Sequence, residues 1–472
     1  MGVVGTVEKK AIMEAYKYVC KDPEKNLPNI FKTIEKYDMT GSVTKQAKTF
    51  EKVFTEKGNW YDLIMSFFTS VDDGIRDKIL ENIIINGTLI GSKKQKASRE
   101  KYGCNVPWTI LMDPTSACNL HCTGCWAAEY GHKLSLTYDE MNSIVKQGKE
   151  LGVYVYMFSG GEPTVRKDDL IRLCDEHPDC EFQPFTNGTL IDDKFADEIL
   201  RVKNFFPAIS CEGTEESTDF RRGAGTFKKA TDAMARLRER KIPFGISNCY
   251  TSKNYNVIGS EEYFDQMIEW GAKYAWFFTY IPVGKDAVPD LIATPEQRKF
   301  MYDQLRAFRK TKPLLTIDFW NDGEYINGCI AGGRYFLHIN ANGDFEPCGF
   351  IHYADHNLHK DTLLSALQGP MFMAYHKGQP FNDNMLRPCP LLDNPEALRK
   401  MVDETGAKST DMQSPEDVHD LTAKTEKAAE EWAKVADPLW ARDGGAKRKA
   451  KEEAAKAAES ANKGKALFSK KH

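Results

Sequence analysis

The sequence predicts an α/β protein whose central part is a parallel β-sheet covered by helices. Between residues 108 and 280, short runs typical of buried strands alternate with longer stretches that have apolar residues at helical spacing. Repeated strand–helix units require the strands to run parallel. Polar and glycine-rich motifs also follow several of the strands, and parallel sheets bind their ligands at the carboxyl ends of strands.

The first part of the chain, residues 1–103, is predicted to be a helical region. The predicted helices cover 11–18, 27–37, 47–54, 60–69 and 75–85, with Pro28 and Gly58 as breaks. Two interpretations stay open. The region either packs as a cap on the α/β part, or residues 60–68, which begin with Trp60, form a pocket wall or a membrane-surface contact.

The central region, residues 104–322, contains about six strand–helix units. The predicted strands cover 109–112, 153–158, 181–185, 208–212, 244–249 and 274–278, and the predicted helices cover 138–151, 170–176, 196–202, 227–241 and 261–270. Each helix is expected to pack on the outside of the sheet, which leaves the strand ends free for chemistry.

Three cysteines in one loop are the strongest chemical signal. Cys118, Cys122 and Cys125 have the spacing C-x3-C-x2-C after the first predicted strand. Such a loop can turn its sulfurs toward one small volume, as a cubane iron–sulfur cluster requires. Because a fourth thiolate is missing, one iron keeps an open position for a chelating molecule. A zinc ribbon would need a second pair of Cys or His ligands nearby. Between Cys125 and Cys174, His132 is the only Cys or His in the sequence.

Further motifs follow later strands. Gly160, Gly161 and Glu162 belong to a Gly-Gly-Glu-Pro element that starts 35 residues after Cys125. Arg222 begins a loop of sequence Arg-Gly-Ala-Gly-Thr-Phe. Glycines let a backbone approach a ligand closely, and arginine can bind a carboxylate with two parallel hydrogen bonds.

A second group of cysteines lies toward the C-terminus. Cys329 and Cys348 flank a predicted hairpin with an Asn-Gly turn at Gly343, and Cys389 follows. The hairpin would bring Cys329 and Cys348 close together.

Taken in this order, the motifs resemble those of the radical S-adenosylmethionine (SAM) enzymes, in the branch with a C-terminal SPASM or twitch auxiliary-cluster domain. The resemblance extends from about residue 108 to residue 395. It implies a partial (βα)6 radical-SAM barrel over 104–322 and a small auxiliary-cluster domain over 323–400. Composition, rather than the resemblance, predicts a charged, polar helical tail over 401–472 that is partly disordered. One departure is Gly124, because the family often has an aromatic residue or histidine before the third cysteine.

The resemblance implies a role for each motif residue. Cys118, Cys122 and Cys125 would be the catalytic residues that hold a SAM-binding 4Fe–4S cluster. The implied SAM contacts are Gly160, Gly161, Glu162, Ser210, Glu212, Arg222, Asn248 and Pro282. Alternatives are Arg221 in place of Arg222, and Thr186 and Asn187 as weaker polar contacts. Glu162 would accept from the ammonium of SAM, and Ser210 and Glu212 would share one strand face near the ribose.

The later cysteines, Cys329, Cys348 and Cys389, would bind a second, auxiliary 4Fe–4S cluster. Because the chain offers only part of the SPASM cysteine set, one auxiliary cluster of twitch type is expected. Its fourth ligand is open between His352, His356, Asp393 and a vacant position that touches substrate. Of the other cysteines, Cys211 and Cys249 lie on predicted strands and are either buried hydrophobes or hydrogen-atom donors.

Composition excludes several other classes of function. The net charge of −4 gives no general attraction to nucleic acid, and no run of eighteen apolar residues predicts a membrane span. The start of the chain lacks the order of a secretion signal, so a cytoplasmic location is expected. Residues 444–472 hold nine Lys and Arg against three Glu, so either a solvated tail or weak adhesion to an acidic partner or membrane surface is possible.

The resemblance implies an enzyme that reductively cleaves SAM to a 5′-deoxyadenosyl radical under anaerobic conditions, with electrons from a reductant such as flavodoxin or ferredoxin. The radical would take a hydrogen atom from a substrate, in the first place a peptide or protein side chain. The auxiliary cluster would accept an electron or position the substrate. The alternatives are the same chemistry on a lipid or small molecule, and a non-catalytic iron–sulfur electron carrier.

Overall fold

The computed structural model describes residues 3–37, 44–284, 286–445, 447, 450, 453 and 454. Most of the charged tail predicted for residues 444–472 lies outside the described residues. Within them, no helix has both the length and the apolar character needed to cross a membrane.

The N-terminal region is helical, as predicted. Its helices are α1 (Val3–Lys21), α2 (Pro23–Tyr37), α3 (Thr44–Glu56), α4 (Asn59–Ser70), α5 (Asp73–Lys78) and α6 (Ser92–Tyr102), with a π-helix over Ile79–Gly91. The π-helix differs from the ordinary helix predicted for 75–85. Its Asn82 and Asn86 side chains are buried and donate to the carbonyls of Cys180 and Asp179, both at 2.9 Å. These long-range bonds could not be read from periodicity.

The N-terminal helices cover the amino ends of the central strands. Asn82 reaches the residues before β3, and Gln95 donates to the carbonyl of Gly152, at 2.8 Å, before β2. No residue of 60–68 lines the cavity described below. The structure therefore favours the cap and does not support the pocket wall for residues 60–68, whereas a membrane-surface contact of these residues stays a prediction.

One large sheet forms the centre of the molecule. Its strands are β1 (Thr109–Met112), β2 (Val155–Phe158), β3 (Glu181–Thr186), β4 (Ala208–Ser210), β5 (Gly245–Tyr250), β6 (Tyr274–Thr279), β7 (Leu315–Asp318), β8 (Phe336–Ile339) and β9 (Phe345–Glu346). The order across the sheet is β7-β6-β5-β4-β3-β2-β1-β8-β9. Strands β1 to β7 are parallel neighbours in sequence order, which confirms the predicted α/β class.

The helices between these strands include the five that periodicity predicts, whereas the helices at 215–222, 255–258 and 295–308 were not predicted. They are α7 (Tyr138–Leu151), α8 (Lys167–Glu176), α9 (Asp193–Val202), α10 (Glu215–Arg222), α11 (Thr226–Glu239), α12 (Tyr255–Ile258), α13 (Glu261–Trp270) and α14 (Pro295–Phe308). Helix α7 shows why its ends were readable. Thr137 and Glu140 form a capping box, and Gly152 ends the helix in a left-handed conformation.

The sheet is larger than six strand–helix units predict. Strand β7 adds a seventh parallel strand, and β8 pairs in parallel with β1, from Thr109 opposite Phe336 to Met112 opposite Ile339. The predicted hairpin is present, since β9 returns antiparallel to β8. It belongs to the barrel sheet, however, so this hairpin of the predicted domain 323–400 is continuous with the barrel.

The chain after β7 contributes further elements outside the large sheet. They are α15 (Gly323–Ile326), β10 (Tyr353–Ala354), α16 (Leu363–Leu367), α17 (Pro370–Gly378), α18 (Pro395–Thr405), β11 (Lys408–Ser409) and α19 (Val418–Arg442). Helix α19 differs from the polar tail expected for residues 401–472. It buries Leu421, Trp432 and Leu439 against the protein, and the Trp432 Nε1 donates to the carbonyl of Leu386 at 2.8 Å.

Candidate functional site

A cavity of about 360 Å³ lies inside the barrel and reaches the carboxyl ends of its strands. All the predicted ligand cysteines line it: Cys118, Cys122, Cys125, Cys329, Cys348 and Cys389. The fold thus brings both predicted cysteine triads to one shared volume, although most of the barrel separates them in sequence.

The loop of the first triad is anchored by backbone hydrogen bonds. Leu120 N–H donates to the Sγ of Cys118 at 3.4 Å, and Thr123 N–H donates to the carbonyl of Arg221 at 2.8 Å. Burial raises the pKa of the Cys118 thiol to about 11, so iron would have to displace a proton. The sulfur donors and the N–H group directed at one of them suit an iron–sulfur cluster.

The two glycines at the end of β2 let their backbone pair with the first triad loop. Gly161 N–H donates to the carbonyl of Thr115, and Glu162 N–H donates to that of Ala117, both at 2.9 Å. A Cβ on Gly161 would lie 2.2 Å from the Ala117 oxygen, and Gly160 has a φ of +99°. Both glycines also line the cavity. Their small size therefore serves the loop packing as well as the predicted approach to a ligand.

The carboxylate of Glu162 is buried, lines the cavity and joins two strand ends. Its Oε1 accepts from Thr164 N–H at 3.0 Å and from the Thr186 hydroxyl at 2.6 Å, and its Oε2 accepts from Asn187 N–H at 2.7 Å. Burial raises the pKa of this carboxyl group. Thr186 thus orients Glu162, while Asn187 itself lines the cavity.

Glu212 differs from its predicted role. Strand β4 ends at Ser210, so Glu212 does not share a strand face with it. Ser210 lines the cavity and Glu212 does not. The Glu212 Oε1 instead accepts from Arg221 Nη1 at 2.5 Å and from Arg222 Nε at 2.8 Å. Although burial opposes it, the charge of these arginines lowers the pKa of Glu212. The carboxylate therefore positions the two arginines, both of which line the cavity.

Asn248 also differs from its predicted role. Its neighbours Ser247 and Cys249 line the cavity, so the alternation along β5 directs Asn248 outward. Its Nδ2 donates to the carbonyl of Trp276 at 3.1 Å, and its Oδ1 accepts from the Tyr263 hydroxyl at 2.7 Å. Ser247 is the polar side chain that sequence reasoning missed, because the phase of β5 was not fixed.

Gly124 makes room for Tyr280. It has a φ of +64°, and a Cβ there would lie 2.6 Å from the Tyr280 ring. Tyr280 and Ile281 line the cavity, whereas the predicted contact Pro282 is buried next to them without lining it. An aromatic ring thus stands against the third cysteine of the loop, but it comes from the segment after β6.

The second triad has similar surroundings. The Sγ of Cys329 accepts from Ala331 N–H at 3.4 Å, and that of Cys389 accepts from Leu392 N–H at 3.3 Å. Burial raises the pKa of Cys329 to about 11 and that of Cys389 to about 12. Among the described residues, no three His, Cys, Asp or Glu side chains are grouped to hold a single metal ion. In a cubane each cysteine binds a separate iron, so ligands that surround a larger volume fit the cluster.

The predicted fourth ligands of the second cluster have other partners. His352 contacts Asp411 at 2.5 Å, His356 contacts Asp355 at 2.8 Å, and Asp393 contacts Arg298 at 2.6 Å. None of the three candidate ligands lines the cavity. Of the predicted alternatives, these contacts favour the vacant position.

A buried network behind the first triad was not predicted from the sequence. His338 on β8 lies 3.0 Å from Asp113 and 2.6 Å from Glu346, and the Tyr130 hydroxyl donates to Glu346 at 2.8 Å. Although burial opposes it, the two carboxylates raise the pKa of His338 to about 10. The Trp126 ring packs 5.6 Å from His338. The network joins the triad loop to the hairpin that leads to Cys348.

Part of the barrel is similar to a known family. Residues 112–270 match the model of the Radical SAM superfamily. The match includes the first triad, the glycine element and the arginine loop.

Two curated relatives show partial similarity. Fe-coproporphyrin III synthase of Methanosarcina barkeri is 28% identical over half of this chain and 61% of its own length. Mycofactocin maturase MftC of Mycolicibacterium smegmatis is 28% identical over 52% of this chain and 66% of its own length. Each match therefore spans less than two thirds of the relative.

A solved structure shares the fold. Streptococcus suis SuiB, determined bound to the precursor peptide SuiA, has a TM-score of 0.52 with 20% identity. The alignment covers 65% of this chain and 76% of that one.

Proposed function

We propose, because residues 112–270 match the Radical SAM superfamily, that this protein is an enzyme that abstracts a hydrogen atom from a substrate held between two iron–sulfur clusters. When bound and reduced, the first cluster and SAM supply the 5′-deoxyadenosyl radical. The observation that supports the proposal is the shared cavity, which both cysteine triads line.

In this proposal the chain's own side chains orient SAM. The arginines at 221 and 222, fixed by Glu212, present positive charge to a carboxylate. Ser210 and Ser247 offer hydroxyl groups to the ribose. Glu162 keeps a lone pair on Oε2 for the ammonium group after accepting from Asn187. The second triad, Cys329, Cys348 and Cys389, would hold an auxiliary cluster that accepts an electron.

A peptide or protein side chain is the first substrate candidate. Support comes from the names of the relatives, since one is a maturase and SuiB was determined with a precursor peptide. The second candidate is a lipid or small molecule. It is favoured by the cavity wall, which is mainly aromatic and aliphatic away from the first triad.

The surroundings of the reaction also belong to the proposal. We expect an anaerobic reaction in the cytoplasm with electrons from a flavodoxin or ferredoxin. No specific nucleic acid partner is expected, because the net charge is −4.

Anaerobic reconstitution tests the proposal. Wild-type protein should bind about eight irons, the number in two 4Fe–4S clusters, and release 5′-deoxyadenosine with SAM and dithionite. Replacing Cys118, Cys122 and Cys125 with Ala should leave about four irons and abolish SAM cleavage. Replacing Cys329, Cys348 and Cys389 should also leave about four irons but keep some cleavage.

The control variant is Cys174→Ala. Cys174 is buried in the outer core and does not line the cavity, so its loss should change neither iron content nor cleavage. Iron-loaded wild type that reduces its clusters but never cleaves SAM would favour the electron-carrier alternative. About four irons in wild type would remove the auxiliary cluster.

A further inference from the structure

We propose that the substrate in this cavity carries an extended alkyl chain, as a lipid acyl chain does, and that the chain lies along the inside of the barrel. The inference rests on the proposed function, since it names the substrate class of the same site and chooses the second substrate candidate, a lipid, over the first, a peptide.

The cavity has a continuous aromatic wall, which we define as Phe185, Trp276, Phe278, Phe319, Phe336 and Phe350. The Trp276 and Phe319 rings stack at 5.1 Å, and Phe278 lies 5.1 Å from Phe319 and 6.3 Å from Phe350. All six residues of the wall line the cavity. The surface that these six rings offer to a substrate is therefore mainly apolar, with Ser210, Ser247 and the unpartnered Trp276 Nε1 as polar groups nearby.

Charged groups are confined to one end of the cavity. Among the described residues that line it, the charged side chains are Glu162, Arg221 and Arg222. All three lie around the first triad, where SAM is proposed to bind. Polar SAM and an apolar substrate would thus occupy different ends of one space, and none of these three charged side chains would face the alkyl chain.

The wall suits an alkyl chain better than a peptide main chain. A peptide would bring N–H and C=O groups that need partners when buried. The strands behind the wall already pair with one another, as Ser247 opposite Trp276 and Trp276 opposite Ile317 illustrate. Methylene groups need no partner and gain free energy from every contact with such a surface.

The open side of the barrel offers a path for a long molecule. Strands β7 and β9 are the two ends of the sheet order and do not pair with each other. Tyr335, just before β8, is 40% exposed and also lines the cavity, and Leu315 at the start of β7 is 42% exposed. Tyr335 is therefore a residue at which the lining of the cavity and the molecular surface meet.

The test uses cis-parinaric acid, a fluorescent fatty acid, with the fully reconstituted protein. We expect saturable binding of about one molecule per chain, displaced by palmitate. Phe336→Glu should weaken binding at least tenfold, because it puts a carboxylate on the aromatic wall. Phe220→Glu is the matched control, since Phe220 is 70% exposed and does not line the cavity. Should Phe336→Glu lose its clusters, Phe319→Gln gives the milder test.

Three results would overturn the inference. They are the absence of saturable binding, equal binding by wild type and both wall variants, and displacement by acetyl-Gly-Gly-Phe-Gly-Gly-amide but not by palmitate. The last result would assign the wall to an apolar peptide side chain.

The formation of 5′-deoxyadenosine keeps the two proposals apart. Cleavage of SAM without fatty-acid binding would overturn the alkyl substrate and leave the radical function standing. Binding without cleavage would overturn the radical function, and with it the alkyl substrate, and would leave only a fatty-acid-binding cavity.

Discussion

Gly124 and Gly103 both have a left-handed backbone, with φ values of +64° and +67°, but only Gly124 faces a neighbour. Gly103→Ala should cost about 1 kcal/mol of unfolding free energy from backbone strain alone. Gly124→Ala should cost about 1–3 kcal/mol more, because its Cβ would collide with Tyr280. It should also lower the iron content of the first site.

Thermal unfolding and iron analysis of the two variants check this prediction. The Gly103 variant controls for the strain, because no atom lies within 4 Å of its added Cβ. Equal losses in both variants would show that Tyr280 yields to the new methyl group.

His338 predicts a pH dependence of stability. Its pKa is raised to about 10, from about 6.5 in an unfolded chain, by Asp113 and Glu346. The protonated His338, paired with the two carboxylates, stabilises the fold fully below about pH 6.5. This contribution to the free energy of unfolding is lost as the pH rises toward about 10. Wild type should therefore lose stability over this range, in addition to the losses of any other titrating group.

Urea unfolding between pH 6.5 and 10 measures the effect. His338→Gln should be less stable by about 3–5 kcal/mol at neutral pH, because two buried carboxylates lose their partner. It should also lack the histidine's slope with pH. His359→Gln is the control, since the His359 side chain is 52% exposed and pairs with Glu140 at the surface. Parallel pH curves for wild type and His338→Gln would contradict the raised pKa.

The site residues could be predicted where they belong to a sequence motif. They could not be predicted where their position depends on which face of a strand points into the cavity. Cys118 and Glu162 line the cavity as the motifs implied. Asn248 was assigned in place of Ser247, because a shift of one residue along a strand reverses the side-chain direction. The link between His338 and Asp113 joins residues far apart in sequence, so no local pattern could indicate it.

At the scale of elements, Arg298 joins α14 to the second triad and to α19. It contacts Asp393 at 2.6 Å and lies 4.2 Å from the Trp432 ring. Asp393 in turn accepts from the N–H group of Cys389 at 3.0 Å. Arg298→Met should cost about 3–5 kcal/mol, since it leaves a buried carboxylate unpaired.

The same change should lower the iron content of the second site. Iron is best counted in a background where Cys118, Cys122 and Cys125 are Ala, so that only the second site contributes. Lys299→Met is the matched control, because Lys299 pairs with Asp303 at the surface and should cost less than about 1 kcal/mol. Full iron content in Arg298→Met would show that the ion pair with Asp393 does not help the cysteines to bind their cluster.

Elements with local signals were predictable, and elements stabilised by distant contacts were not. The capping box of Thr137 and Glu140 defined α7. Helix α19 was expected to be a polar tail because many of its buried positions are Thr or Ala, such as Thr425 and Ala436. These small residues allow close packing but give a weak apolar pattern.

For the whole molecule, the order of parallel strands followed from repeated strand–helix units, but the neighbour of β1 did not. The sequence predicts a domain boundary at residue 322 and places the later hairpin in a separate domain. Strand β8 nevertheless lies beside β1, and Thr109 N–H donates to the carbonyl of Tyr335 at 3.0 Å. Pairing between strands so distant in sequence has no local signature.

Because β8 pairs with β1, the part of the chain after residue 322 covers an edge of the barrel sheet that would otherwise be open. In a chain shortened to residues 1–322, β1 would be an unpaired edge strand. Its free N–H and C=O groups would be exposed next to apolar side chains such as Ile110, which is buried in the full chain. Such edges recruit strands from other molecules. Size-exclusion chromatography should therefore find the shortened chain in aggregates. A chain that ends at residue 445 is the control, and its elution profile should be as monodisperse as that of the full-length protein. A monodisperse, folded 1–322 chain would show that the barrel tolerates an open seam.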